Sequence, residues 1–407
     1  MFRWNNTFYS DSTNYFTLLP LQLFARSRQN AYLRPNLDRK SLLHAIQRYA
    51  NESVQNEEDV NSWIDNTMKE GRREIYLEEY DSNPITQAFL KSDESVHEAL
   101  KPHLLNVENQ HISGNVYGRD FQLVKYSIEN GSFGRVITLF LCKLIYCTEE
   151  NKKEKNLTAQ VFPVVVELFV DKEYIMTSVK TKANLFLYNP DTRDVTNLDT
   201  TSCDRQALNA KQAALRMLQI NDVMQNNIER LKTQLFNLLN ACTQTPDEIE
   251  ALLNENAEKM EKIATMVQDD ICNLEPGLMQ DVKWDIRNMI EKYFSMTYPD
   301  KRIFIKNRIA YPIKLDATDQ QRSKVQQTSG FEEPLQSKDI FFDNKKMLQK
   351  NRQCDSVKFS FERLNSLYCD DRFNVQITVN RKYCIVKFSE YTVKEDIDNV
   401  LHSIIGY

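Results

Sequence analysis

Two amphipathic helical runs, separated by a few turn residues, constrain the fold of this chain more than any other feature. The runs cover residues 205–242 and 246–274. In the first run, apolar residues recur with the spacing of a coiled-coil seam, at Met217, Met224, Ile228, Leu231, Leu235, Leu238 and Cys242. In the second run, similar spacing falls on Ile249, Leu253, Met260, Ile263 and Val267. This pattern predicts a long antiparallel helical hairpin.

The residues between the two runs indicate an immediate reversal of the chain. Thr245, Pro246 and Glu248 have the spacing of a capping box with proline at the first helical position, so a new helix is expected to begin there. As continuous helices, the runs would be about 57 Å and about 43 Å long. Two arrangements fit. Either the hairpin packs on its own domain, with a third helix over 278–294 completing a bundle, or it projects as an arm. In that third helix, one face would carry Val282, Ile286, Met289, Ile290 and Tyr293.

A projecting arm would offer its apolar seam to a partner. The residues predicted to bind a partner protein or a second copy of the chain are Met224, Ile228, Leu231, Leu235 and Leu238. Asn221 and Asn256 also fall on seam positions, where a buried amide favours one register of pairing over the others.

The period of the hydrophobic pattern changes from helical to extended near residue 115. Before this point, apolar stripes within 42–49, 60–67 and 85–105 predict helices. After it, segments rich in Val, Ile, Phe and Tyr predict an antiparallel sheet of about five strands, over 121–128, 135–147, 161–170, 174–179 and 185–188. Because 136–145 and 162–169 are apolar almost throughout, we expect their strands to be central and covered on both faces.

The final third of the sequence predicts a small α+β domain. Strands are expected over 301–310, 357–361, 373–379 and 383–388, and a capping box at Thr392 and Glu395 predicts a last helix. A stretch rich in Gln, Ser and charge, 318–338, is predicted to be a flexible connection. The sequence therefore predicts an α+β fold in three parts. These are a helix-covered antiparallel sheet domain at 1–200, a long helical hairpin or bundle at 201–297, and the small domain at 298–407.

Charge and cysteine usage narrow the class of protein. The 407 residues carry a net charge of −5, which argues against a protein coated with basic residues for nonspecific DNA binding, while a local basic patch is compatible with it. The eight cysteines form no Cys-x-x-Cys pair, which favours a reducing compartment. The N-terminus lacks the pattern of a secretory signal, and no apolar run approaches the ~18 residues that span a bilayer. We therefore expect a cytoplasmic protein that makes no membrane contact.

Basic residues interleaved with apolar ones suggest contact with DNA or RNA. Arg302, Lys306 and Arg308 fall on alternating positions of the strand expected over 301–310, and Arg381 and Lys382 fall at a predicted hairpin tip. Such positions can follow a phosphate backbone. The alternative is an edge strand that is kept soluble by its charges.

Residues with catalytic chemistry give weaker patterns. A divergent metal-dependent nuclease would use Glu167, in the middle of an expected strand, together with acids from neighbouring strands. The Glu-x-Lys spacing of such sites is not found there, because the second residue after Glu167 is Phe169. The five histidines lack the spacing of a zinc site. We therefore predict no catalytic residues, no metal and no cofactor.

Together these patterns favour a non-enzymatic subunit of a larger intracellular assembly. We expect it to bind a protein partner, or itself, through the helical hairpin and to contact nucleic acid through the basic C-terminal third. The nuclease that uses the central sheet is the alternative. Frequent Asn, Lys and Ile with only 8 Gly prompts a hypothesis about setting, a bacterial antiviral-defence or mobile-element system.

Overall fold

The chain folds into two compact units with an α+β architecture. A computed structural model describes residues 2–4, 16–28, 30–80, 82–148, 157–182, 184–187, 199–220, 228–272, 275–318, 324–330, 333–364 and 370–406. Unit 1 comprises Met1–Asn227 and Lys382–Asp398, and unit 2 comprises Ile228–Arg381 and Asn399–Tyr407. The sequence predicted three parts with other boundaries. Those boundaries remain a prediction.

Unit 1 is built on an antiparallel sheet. Its strands are β1 (Arg73–Glu79), β2 (Gln122–Gly131), β3 (Gly134–Thr148), β4 (Leu157–Phe169), β5 (Tyr174–Lys180), β6 (Leu185–Leu187), β7 (Asp199–Thr201) and β12 (Cys384–Phe388). They lie in the order β7-β6-β3-β4-β5-β1-β12, and β2 also pairs with β3. The five strands predicted between 121 and 188 are confirmed as β2 to β6.

Helices cover both faces of this sheet. They are α1 (Leu18–Ser27), α2 (Arg39–Ala50), α3 (Val54–Thr67), α4 (Pro84–Lys91), α5 (Asp93–Leu100) and α6 (Cys203–Met217). Leu139 of β3 and Val164 of β4 lie in one core with residues of α4, α5 and α6. Phe140 and Val165, the next residues along, lie in a second core with α1, α2 and α3. Successive strand residues face opposite sides, so the expectation that β3 and β4 are covered on both faces is confirmed.

Strand β1 has no counterpart in the sequence-based prediction. It lies between β5 and β12, although it contains charged residues at both ends. The guanidinium of Arg73 is buried there because it donates to the hydroxyl of Ser178, at 2.6 Å, and to the carbonyl oxygen of Ser178. Charged residues can be buried when hydrogen bonds of this kind satisfy them, so a buried strand that contains them has no apolar periodicity.

Unit 2 combines four antiparallel strands with a layer of helices. Its strands β8 (Ala310–Thr318), β9 (Lys324–Thr328), β10 (Ser356–Glu362) and β11 (Arg372–Val379) lie in the order β11-β10-β8-β9. The helices are α7 (Ile228–Cys242), α8 (Asp247–Glu255), α9 (Ala257–Thr265), α10 (Met279–Thr297) and α11 (Asp339–Asn351). The last helix, α12 (Lys394–Ile405), contributes its residues from Asn399 onward to this unit. The strands predicted over 357–361, 373–379 and 383–388 are confirmed.

The first helical run was expected to be one helix of about 57 Å, and this expectation is wrong because the run is not continuous. Helix α6 ends at Met217, where Gln219 adopts a left-handed conformation with φ of 55°. The amide of Ile220 then donates to the carbonyl of Leu215, and the amide of Gln219 donates to that of Arg216. These two bonds form a complete Schellman motif, which terminates a helix. Glutamine at the left-handed position replaces the usual glycine, so the sequence carries no stop signal.

The second run is also interrupted. Helix α8 ends at Glu255, Asn256 lies between α8 and α9, and 266–271 forms a π-helical segment after α9. The side chain of Asn256 donates to the carbonyl of Leu252, so its amide is used locally and not across a seam. The predicted capping box at Thr245 does not form. Pro246 is the residue that precedes α8, and the Thr245 hydroxyl donates to Glu291 at 2.8 Å.

Two further predictions about the final third are wrong. Residues 301–304 form a 3₁₀ helix, and the strand expected over 301–310 begins only at Ala310. In the described part of 318–338, the chain is not a flexible connection, because β9 pairs with β8 and the side chains of Leu335 and Gln336 are fully buried.

Candidate functional site

The predicted partner-binding seam lies inside unit 2. Leu231, Leu235 and Leu238 are each at most 2% exposed on α7, which packs against β8, β10 and β11. Ile228, at the start of α7, is half-buried, and Met224 lies outside the described residues. The apolar stripe of α7 therefore covers the sheet of its own unit, as the alternative of a hairpin lying on its own domain implies. These three leucines are not accessible to a partner in this conformation.

Helix α10 directs a different apolar stripe outward. Met289, Tyr293 and Met296 are 43%, 58% and 42% exposed, and they lie at positions i, i+4 and i+7 of one helical face. We call these three residues the α10 outer stripe. The sequence pattern predicted that Met289 and Tyr293 would share a buried face with Val282, Ile286 and Ile290. The structure corrects that prediction, because only part of this pattern is turned inward.

The other faces of α10 account for this orientation. Ile290 and Phe294 pack against the cluster formed by Ile249, Leu253 and Phe304. On another side Glu291 is 2% exposed, and its carboxylate accepts from the Nζ of Lys345 on α11 at 2.6 Å. Since α10 is held by α8 and α9 on one side and by α11 on another, its remaining face points to solvent.

A cavity of about 720 Å³ lies in unit 2. Its walls come from the end of α7, the start of α8, residues 303–310 and the last two turns of α12. Two of the residues that were predicted to contact nucleic acid, Lys306 and Arg308, line it. They lie on a sharp turn where Asn307 has a φ of 59°, and not on alternating positions of a strand.

The Arg308 side chain is anchored to the turn between α7 and α8. Its NH1 donates to the carbonyl of Cys242 and to the side-chain oxygen of Gln336, each at 2.7 Å, and its NH2 donates to the carbonyl of Gln244. The buried Gln336 amide donates in turn to the carbonyls of Thr243 and Gln244. Because burial removes water from its guanidinium, the pKa of Arg308 is lowered from its usual value. Arg308 thus satisfies carbonyl groups that the end of α7 leaves without partners.

The other predicted nucleic-acid contacts do not join this cavity. Arg302 is exposed and forms an ion pair with Asp300 at 2.9 Å, two residues earlier in the chain. Arg381 and Lys382 are exposed in the segment between β11 and β12. The five basic residues therefore do not form one continuous surface within either unit, although Lys306 and Arg308 share a wall.

Glu167, the residue on which the nuclease alternative depends, lies at mid-strand on β4. Its carboxylate accepts from the Nζ of Lys69 at 2.7 Å and from the hydroxyl of Thr138 at 3.2 Å. A buried carboxylate with a lysine partner is explained by packing and charge compensation. Among the described residues, no group of three or more His, Cys, Asp or Glu side chains is arranged to hold a metal ion.

Comparison with known proteins found no matching family model, no matching curated protein and no matching solved structure. In the part of the chain that the structure describes, no helix combines the length and the apolar character needed to cross a membrane.

Proposed function

We propose that the protein is a non-enzymatic interaction subunit that binds a basic, amphipathic helical segment of a partner protein through the α10 outer stripe. The observation that carries this proposal is the exposure of Met289, Tyr293 and Met296 on a helix that buries Glu291 and Ser295. A helix that packed only for stability would place its apolar residues inside and its carboxylate outside.

The residue types of the stripe suit an interface. Methionine side chains are flexible and adapt to different apolar partners, and tyrosine supplies a large apolar area with a polar end. Complete burial of such a side chain contributes about 1.5–3 kcal/mol, and these three are already partly covered, so we expect about 1 kcal/mol from each. Three such contacts sum to about 3 kcal/mol, which is less than the ~4 kcal/mol of a millimolar Kd, so a measurable interaction also needs a contribution from charge.

Charge selects the chemistry of the partner. Between residues 247 and 300 the sequence contains 13 Asp or Glu and 5 Lys or Arg. Asp281 and Asp285 precede the stripe on the same face of α10 at intervals of four residues, and both are exposed, although Asp285 already forms an ion pair with Lys346 at 2.6 Å. A basic segment is attracted to such a surface and an acidic one is repelled. An amphipathic helix with lysine or arginine around an apolar face meets both requirements.

Fluorescence anisotropy with a labelled helical peptide tests the proposal. The probe is a designed peptide of about 14 residues with leucine on one face and lysine on the others. We expect saturable binding to the full chain, weakened by added salt because charge contributes. Substitution of all three stripe residues, Met289→Ser, Tyr293→Ser and Met296→Ser, should weaken binding at least about tenfold, equivalent to about 1.4 kcal/mol.

Matched controls distinguish binding at the α10 outer stripe from nonspecific binding to exposed apolar side chains. Ile85 on α4 of unit 1 is 82% exposed, so Ile85→Ser removes an equally accessible apolar side chain from another surface and should leave binding unchanged. A peptide with glutamate in place of lysine should not bind. Equal binding by the triple variant and the wild type would overturn the proposal. So would a wild type that sediments as a dimer and becomes monomeric on Tyr293→Ser, because the occupant would then be a second copy.

A further inference from the structure

Two cationic side chains, Lys306 and Arg308, line the cavity of unit 2. Among the described residues, neither forms a salt bridge with a carboxylate, although Lys306 lies near enough to Asp300 to contribute to lowering the pKa of that carboxyl group. The three groups that Arg308 contacts are neutral carbonyls, so its positive charge remains uncompensated. Arginine and lysine together are suited to hold a phosphate group. His402, on α12, also lines the cavity.

The start of α8 supplies hydrogen-bond acceptors to the same cavity. Asp247 and Glu248 line the cavity, and both side chains are exposed. Carboxylates in this position repel a second anion, but they accept hydrogen bonds from hydroxyl groups, as acidic residues do from the hydroxyls of ribose in dinucleotide sites. The lining therefore combines cations suited to an anion with carboxylates suited to hydroxyl groups.

The size of the cavity suits a small ligand. With a volume of about 720 Å³, the cavity lies within the size range of small-molecule sites.

We propose that this cavity binds a ribose phosphate, either as a free sugar phosphate or as part of a mononucleotide, with the phosphate at Lys306 and Arg308 and the hydroxyls at Asp247 and Glu248. This site is independent of the α10 outer stripe and of the function proposed for it. No bond is made or broken, because the proposal concerns binding alone.

Isothermal titration calorimetry of the full chain tests this proposal with three probes, AMP, ribose 5-phosphate and inorganic phosphate. We expect AMP or ribose 5-phosphate to bind with a Kd on the order of 0.1 mM, and inorganic phosphate to bind at least about tenfold more weakly. Binding of both organic probes would identify the sugar phosphate as the recognised part. Binding of AMP alone would assign the site to mononucleotides.

Two substitutions and a matched control locate the site. Lys306→Glu should weaken binding at least about tenfold, because it replaces the accessible cation with an anion. Arg302→Glu is the control, since Arg302 is exposed on the same segment, is paired with Asp300 and does not line the cavity. Glu248→Gln should weaken ribose 5-phosphate more than inorganic phosphate. The proposal is overturned if no organic probe binds at about 10 mM, or if Lys306→Glu binds as tightly as wild type while circular dichroism shows it folded.

Discussion

Helices α7 and α10 carry apolar residues at the same spacing and use them in opposite ways. Leu231, Leu235 and Leu238 repeat at i, i+4 and i+7, as do the three residues of the α10 outer stripe. The leucines are buried against the sheet of unit 2, whereas the outer stripe faces solvent. Periodicity therefore identifies an apolar face, but the surrounding elements decide whether that face is a core or a surface.

The largest expected effect is a loss of stability when a charge is placed among the buried leucines of α7. Leu235→Asp places a carboxylate among β8, β10 and β11, and we expect a loss of at least about 4 kcal/mol in the free energy of unfolding of unit 2. Tyr293→Asp, the matched change on α10, should cost less than about 0.5 kcal/mol because its carboxylate stays hydrated. Urea denaturation followed by circular dichroism measures both. Similar losses in the two variants would show that the stripes do not differ in environment.

A smaller loss of stability is expected when Glu291, the buried carboxylate of α10, is replaced. Glu291→Ala leaves Lys345 without its carboxylate and Thr245 without its acceptor, which should cost about 3 kcal/mol. The control is Asp343→Ala, which breaks the more exposed pair with Lys292 and should cost less than about 1 kcal/mol. The same denaturation experiment distinguishes them. If Glu291→Ala were as stable as wild type, α10 would not be oriented by this buried pair.

The end of α7 provides a third test. Arg308→Ala removes three hydrogen bonds to carbonyl groups around the turn after α7, and we expect a loss of about 2 kcal/mol. Lys306→Ala, two residues away and exposed, should be nearly neutral. Thermal unfolding of the two variants makes the comparison. A neutral Arg308→Ala would mean that Gln336 alone is sufficient to hold the turn.

The mildest test needs no substitution, because it compares the rates at which two thiols of unit 2 are chemically modified. Cys242 ends α7, is 3% exposed, and burial raises its pKa to about 12, so very little thiolate is present at about pH 8. Cys272, after the π-helical segment, is exposed. Iodoacetamide should modify Cys272 at least about a hundredfold faster, and both thiols at similar rates in urea. Peptide mapping by mass spectrometry provides the rates, and fast native labelling of Cys242 would contradict its burial.

The sequence predicted those elements whose signals are local. The strands from β2 to β6 alternate or run apolar over many residues, so periodicity placed them closely. Strand β1 was not predicted because the burial of its charged residues depends on distant partners. Arg73, Glu78 and Glu79 contact Ser178, Lys211 and Tyr174, respectively. The end of α6 was not predicted because Gln219 adopts the left-handed conformation without being glycine. Tertiary contacts overrode the local pattern in both cases.

The candidate sites were only partly accessible to the same reasoning. Lys306 and Arg308 were identified from the sequence as basic residues. Their shared cavity forms only because segments near 238–248, 303–310 and 399–406 meet in the fold, and no local pattern predicts that meeting. Met289 and Tyr293 of the outer stripe belong to the apolar pattern predicted for this helix, whereas Met296 lies beyond its predicted end. Its exposure follows from the positions of α8, α9 and α11 around that helix, and these depend on the fold as a whole.

Methyl NMR of the full chain labelled with [methyl-¹³C]methionine tests the central claim most directly. The chain contains 11 methionines, and Met289 and Met296 can be assigned by conversion of each to leucine. On titration with the basic amphipathic peptide, their methyl signals should shift and saturate together, while those of the buried Met68 and Met176 should not move. Saturable shifts at other methionines alone, or no shift at Met289 and Met296, would contradict a docking surface on α10.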